Sequence, residues 1–356
     1  MRHANSYDAL RLTGAVSVFW SHQLGASGFA EPTVPLLGTT AGGFGVALFF
    51  SISGYLVTKS LMSRRSVKSY LWSRCLRIYP GLIACLILTV LAGAMATRLP
   101  ATAYFADPQT WSFIWRNLLS IFVDRQFTLP GVLEDARWPA VNTPLWTIAY
   151  ETAGYLLIAI LFLIGSPSGF KARVAVASTA ALILYVVIYA TVPWPEDRSI
   201  WFTRLEPHFA VRFAVPFLTG AAVAALAAER YALAAAGLLA ISAAMLAGTV
   251  AYEACAWAVT ALLVNSIGNS KILAWYSTAP VIRRFGDLSY GIYLYAYPVQ
   301  NYLITRYYDG SNFAAVAAVS FLSIVALAAL SWRLVEKPSL QMRERIRADG
   351  TAAQLV

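Results

Sequence analysis

Charged residues are scarce in this chain. Only 12% of its 356 residues are Asp, Glu, Lys or Arg, about half the share usual in soluble domains. That excludes an ordinary water-solvated fold for most of its length. Cysteine is nearly missing: Cys75, Cys85 and Cys255 are odd in number and scattered, so neither a disulfide framework nor a metal spacing can be read from them. Histidine is as rare, with His3, His22 and His208 and no HxxxH pair, so no metal site is expected. The chain also lacks a Gly-rich phosphate loop, a nucleophile elbow, a close carboxylate pair and any internal repeat. These absences remove P-loop enzymes, α/β-hydrolases, zinc hydrolases and solenoids.

What is present is apolar. Hydrophobic residues make up 59% of the chain and the mean hydropathy is +0.61, as expected of a chain that lives mostly in a bilayer. Ten segments have about the length needed to span: about 6–25, 40–60, 78–98, 145–164, 173–191, 209–228, 231–249, 251–268, 287–306 and 313–333. The first makes a poor secretory signal, because Asp8, Arg11 and His22 interrupt it. The expected fold class is an all-α integral membrane protein with about ten transmembrane helices in one bundle. Residues 1–338 form the membrane domain and 339–356 a short cytoplasmic tail.

The net charge of +10 does not point to nucleic acid, because the basic residues collect in particular loops. Lys59, Arg64, Arg65, Lys68, Arg74 and Arg77 follow the second segment. Lys171 and Arg173 follow the fourth, Lys271, Arg283 and Arg284 the eighth, and Lys337, Arg343, Arg345 and Arg347 the last. Ten spans put all of these on one side, which is then the cytoplasm, with both termini there. The acids Glu31, Asp107, Asp124, Glu134, Asp135, Glu196, Asp197, Glu206 and Asp309 gather on the other side. An odd count would break this separation. The longest outer loop, about 99–144, is aromatic, and its stretch WSFIWRNLLSIF is too short to span, reading as an interfacial or re-entrant helix.

Ionisable groups inside apolar spans are costly and mark functional sites. Arg11, His22, Glu151 and Arg212 lead them, with Glu253 and Asp287 near segment ends. Arg11 and His22 are eleven residues apart, which on a helix returns to within about 20° of the same stripe, roughly 16 Å along the axis. That suits a long anionic molecule entering from the cytoplasm. The competing reading is a snorkelling Arg and an interfacial His. Glu151 reads as lying a few residues inside the outer mouth of its span, level with His22, where a carboxylate would fix the imidazole tautomer and raise its basicity. The competing partners for Glu151 are Arg212 and the backbone. Arg74 and Arg77 share one face at i and i+3 and match phosphate chemistry, although any cytoplasmic membrane edge is Arg-rich. Ser53, in the stretch FFSISGYL, could face a cavity, and Trp138 and Trp146 are candidates to stack on a ligand ring.

Six stretches together resemble one family, the integral-membrane acyltransferases known as acyltransferase family 3. They are YDALR with the R-x10-H of Arg11 and His22, FFSISGYL, the R-x-x-R-I-Y-P of Arg74 and Arg77, PLWTIAYE ending in Glu151, FGDLSYGIYLYAYP and WRLVEKP. They run in family order from residue 7 to residue 338. The resemblance implies a multi-pass enzyme of the inner (cytoplasmic) membrane. It would move an acyl group, most often acetyl from acetyl-CoA, to a hydroxyl of an envelope or exported glycan such as lipopolysaccharide, exopolysaccharide or a lipid-linked sugar.

The resemblance also implies roles. His22 is catalytic; from the residues themselves, it acts as a base oriented by Glu151 or is itself acylated. Arg74, Arg77 and Arg11 hold the donor phosphates, and Ser53 lines the donor site or, less favoured, carries the acyl group. One departure stands out: where many members place a His before the aromatic-Pro of the ninth span, this chain has Ala296. With no appended hydrolase-like domain expected, the protein acts alone or with a separate partner protein. The alternative functions are a transporter or carrier of a glycan or lipid-linked substrate, and an acetyl-CoA sensor.

Overall fold

The computed structural model describes residues 6–196, 204–279 and 287–342. His3, Asp197, Arg283, Arg284, Phe285, Gly286, Arg343, Arg345 and Arg347, and most of the tail expected from 339, lie outside these residues.

All ten apolar segments are helical. They are α1 (Tyr7–Ala26), α2 (Ala41–Arg64), α3 (Val67–Ala96), α6 (Trp146–Leu163), α7 (Phe170–Thr191), α8 (Pro207–Ala225), α9 (Ala232–Ala244), α10 (Val250–Asn269), α12 (Ser289–Tyr307) and α13 (Phe313–Ser331). Short helices α4 (Ala101–Ala106), α5 (Pro108–Leu118) and α11 (Ala274–Thr278) lie between them, and a two-residue hairpin pairs Thr33 with Thr40 and Val34 with Thr39. By length and composition, seven of the ten can cross a membrane. The other three fall short for visible reasons. α1 carries Asp8, Arg11 and His22. α9 has 13 residues, about 20 Å at 1.5 Å per residue against a hydrocarbon core of about 30 Å. α12 is rich in Tyr, Gln and Asn.

The chain divides into two compact units. The first comprises Met1–His22, Ala30–Val67 and Trp146–Arg283, and α2 is its axis. Phe50 stacks on Phe213 of α8 with ring centroids 4.5 Å apart. One turn on, Gly54 packs on the backbone carbonyl of Phe217, and Gly220 packs on that of Ser51. Apolar helices gain no hydrophobic drive from each other inside lipid, so close backbone approach at small residues supplies the packing. α10 runs parallel to α2, since Ser51 faces Ala261 and Asn265 while Tyr55 faces Asn269. α1 runs antiparallel, since Tyr7 stacks on Tyr55 with centroids 5.5 Å apart, Gly14 meets Gly45, and Ser21 meets Gly42. Tyr7, Leu10, Leu48, Ile52, Tyr55, Val223, Ala224 and Val264 form a buried apolar cluster in this unit.

The second unit comprises Gln23–Phe29, Lys68–Leu145 and Arg284–Val356. Its loop after α3 is tied down rather than loose. Tyr104 donates to the Val90 carbonyl (2.9 Å), Thr97 to Pro130 (2.8 Å), Asn142 to Leu294 (3.0 Å) and Asn301 to Ala140 (2.7 Å). The stretch expected to be interfacial or re-entrant forms α5. Its buried face is Thr110, Phe113 and Asn117, while Trp111, Trp115 and the following Leu119 are about half exposed along the other. Tryptophan on the outward face of a short amphipathic helix is the interfacial pattern.

The glycine contacts give the first prediction. A Cβ at Gly54 has no room against the Phe217 carbonyl, which cannot rotate away. Gly54→Val is expected to push α2 off α8 and cost at least about 1–3 kcal/mol by overpacking. The loss should appear as a lowered unfolding midpoint of the detergent-solubilised protein, with Gly237→Val, which meets nothing within 4 Å, as the control.

Candidate active site

In the first unit a hydrogen-bonded chain of polar side chains, buried at its Tyr7–Asn265–Ser51 end, anchors α1. Tyr7 donates to Asn265 (3.1 Å), and Asn269 donates to Tyr7 (2.8 Å). Tyr55 lies 2.8 Å from both Asn269 and Glu229. Lys59 donates to Tyr55 (2.7 Å) and pairs with Glu229 at 3.6 Å. Asn265 donates to Ser51 (2.9 Å). The network links the YDALR and SGYL stretches to α10. Sequence reading missed it, although Asn265 and Asn269, at i and i+4 in an apolar helix, were its signal.

Arg11, one turn beyond Tyr7, lies 3.7 Å from Asp8, its i−3 neighbour. His22 is half-buried four residues before the end of α1. Beside it Ser21 donates to Glu31 and packs on Gly42 in the first turn of α2. Both expected residues therefore occupy one rigid helix, Arg11 level with the centre of α2 and His22 with its start.

Glu151 does not sit where expected. Its carboxylate accepts from Ser53 of α2 (3.0 Å) and from Tyr155, one turn along α6. Neither His22 nor Arg212 is among its partners. The separation follows from helix register. His22 is level with Gly42, and Ser53 is eleven residues farther along α2, roughly 16 Å deeper. Glu151 thus lies at the depth of Arg11. The reason is that α6 starts low: its first residue, Trp146, packs on Phe213, the ring that stacks on Phe50 rather than on the start of α2. The reading of Glu151 as the group that orients His22 is corrected accordingly; it holds Ser53.

The remaining candidates divide cleanly. Arg212 donates to the Gly38 carbonyl (3.4 Å) and lies over the Trp257 ring at 5.0 Å. Trp146 is packed among Tyr150, Phe209 and Phe213, whereas Trp138 in the second unit is 58% exposed. Also in the second unit, Arg74 is half-buried near the start of α3, and Arg77 pairs with Asp287 at 2.9 Å. Ala296 is buried in α12. Another buried imidazole escaped notice: His208 holds Glu206 through Nδ1 (2.6 Å) and the Val192 carbonyl through Nε2 (3.0 Å), with Trp194 stacked on it. Its two ring nitrogens thus tie the Glu206 side chain to the Val192 backbone.

The family model described as an acyltransferase domain matches residues 5–333. The chain belongs to this family. The acyltransferase is 27% identical to a protein named O-acetyl transferase from Shigella phage Sf6, over 95% of its own length and 96% of that protein's. It is 28% identical to Nodulation protein 10 of Rhizobium leguminosarum bv. viciae, covering 97% and 96% of the two chains. It is 24% identical to Acyltransferase MdmB of Streptomyces mycarofaciens, covering 98% and 94%. No solved structure matches it. With seven helices long and apolar enough to cross a bilayer among the described residues, it is a multi-pass membrane acyltransferase that moves groups other than aminoacyl groups.

The Glu151 geometry makes a second prediction. Removing Ser53 deletes one hydroxyl from the carboxylate, but removing the carboxylate strands two. Ser53→Ala is expected to cost about 1 kcal/mol and Glu151→Ala about 2–3 kcal/mol, measured by chemical denaturation in detergent. Equal losses would remove Glu151 from the centre of this group.

Proposed function

We propose that this acyltransferase moves an acetyl group from acetyl-CoA, entering from the cytoplasm, to a hydroxyl of a cell-surface or exported glycan. Its place is the inner membrane, with ten spans and both termini inside. Membership of the acyltransferase family along nearly the whole chain carries this reading. The likeness to a protein named O-acetyl transferase supports acetyl as the group moved. The arrangement of α1 supports the direction of transfer, with Arg11 and His22 on one stripe of a helix fixed by buried hydrogen bonds.

The start of α3, which carries Arg74 and Arg77, recognises the donor's phosphates through Arg74, and Arg11 contributes a further positive charge. Ser53 and Glu151, at the depth of Arg11, offer hydrogen-bonding groups to the amides of the pantetheine arm. The thioester then lies toward His22. There the imidazole accepts the proton of the attacking hydroxyl as its oxygen bonds to the thioester carbonyl carbon. The carbon–sulfur bond breaks, and the CoA sulfur takes that proton from the imidazolium and leaves as the thiol. The exposed ring of Trp138 offers a face to the acceptor's sugar. No second imidazole is available at Ala296 to share this work.

The test is transfer of labelled acetyl from acetyl-CoA into envelope glycan, in membranes carrying wild type or His22→Ala at matched levels. Transfer by wild type and a loss of at least about a hundredfold in the variant is expected for a general base. Full transfer by the variant would remove His22 from the chemistry. Solute flux without acetyl-CoA consumption would replace the enzyme reading by a carrier.

A further inference from the structure

Within the second unit, two separate stretches of sequence converge on one face of α3. Arg77 donates to Asp287 (2.9 Å), whose side chain is 5% exposed. Asp287 is held in turn by the backbone N–H of Ser289 (3.1 Å) and by its hydroxyl (2.5 Å). The Arg77 guanidinium lies 5.6 Å from the centre of the Tyr290 ring, and the Tyr290 hydroxyl donates to the Ile78 carbonyl (2.7 Å). One turn farther, Gly81 meets the same Tyr290 ring and the side chain of Glu336. Glu336 is 3% exposed and accepts from Ser331 (3.0 Å), while its Oε2 is buried without a hydrogen-bond partner. Arg77 pairs directly with Asp287, and Glu336 is buried one turn farther along α3, against Gly81.

This arrangement separates two arginines that sequence spacing had joined. Arg77 faces a buried acid and an aromatic ring. Arg74 lies three residues earlier, nearer the helix start, and is half-buried. We infer that Arg77 and Asp287 are positioning residues: their ion pair fixes the first turns of α3 so that Arg74 meets the donor's phosphates. The inference rests on the acetyl-CoA reading above. It assigns Asp287 a part in donor recognition that it exerts only through Arg77.

The experiment uses the full chain in detergent, reading acetyl-CoA binding and the unfolding midpoint together. Arg74→Ala is expected to weaken binding about tenfold, as for a lost charge-assisted phosphate contact, and to leave the midpoint unchanged. Arg77→Ala and Asp287→Ala are expected to lower the midpoint and weaken binding by similar factors, and the double variant to be no worse than either single one. The reversed pair, Arg77→Asp with Asp287→Arg, should regain part of both. Asp287→Asn keeps the shape and the Ser289 contacts, so it reads the charge alone if the alanine variants do not fold. Arg77→Ala weakening binding at an unchanged midpoint, with Asp287→Asn silent, would overturn the positioning role and make Arg77 a phosphate ligand. Wild type that binds no acetyl-CoA would overturn the donor reading and the positioning role together. The coupled midpoints would then stand as a structural pair only.

Discussion

A hydroxyl or carboxamide inside an apolar helix bundle has no water to turn to, so it must find its partner on another helix. That constraint organises the first unit. Tyr7 at the start of α1, Ser51 and Tyr55 on α2, and Asn265 and Asn269 on α10 satisfy one another across three helices. The result fixes α1 in rotation and in height. Arg11 and His22 inherit that placement without making the network themselves. A side chain placed for chemistry gains from such support, because the helix that carries it is held by other residues.

Close approach of backbones does the complementary work. Where Gly54 and Gly220 let α2 and α8 touch, neighbouring rings such as Phe50 and Phe213 stack at 4.5 Å. Polar pairing then selects the register, and glycine permits the distance at which it closes. Neither would suffice alone: apolar faces in lipid slide past each other with little penalty, and a polar pair held too far apart is unsatisfied.

Much of this was legible in the chain. Every apolar segment became a helix, because a run of about twenty apolar residues in lipid has little alternative. The family followed from short motifs in order. What escaped was three-dimensional register. Glu151 was read at the depth of His22 because distance from a segment's end was taken as depth. The start of α6 lies well below the start of α2, a fact fixed by the Trp146 and Phe213 rings and not by hydropathy. Trp146 and Trp138 looked alike as aromatic residues near a mouth, yet one is packed and the other exposed. Arg74 and Arg77 looked like a pair because spacing shows a shared face, and only the structure shows Asp287 waiting opposite one of them.

The α5 helix has a consequence of its own. It is joined to α3 through Tyr104, which donates to Val90 and whose carbonyl accepts from Thr110. Its outward tryptophans favour the headgroup layer. The distance between that layer and the basic start of α3 is therefore built into the protein as a fixed length. A bilayer of shorter or longer acyl chains has to match that length by tilting α3 or by deforming around it. Lipid chain length thus becomes a variable to which the enzyme is mechanically coupled.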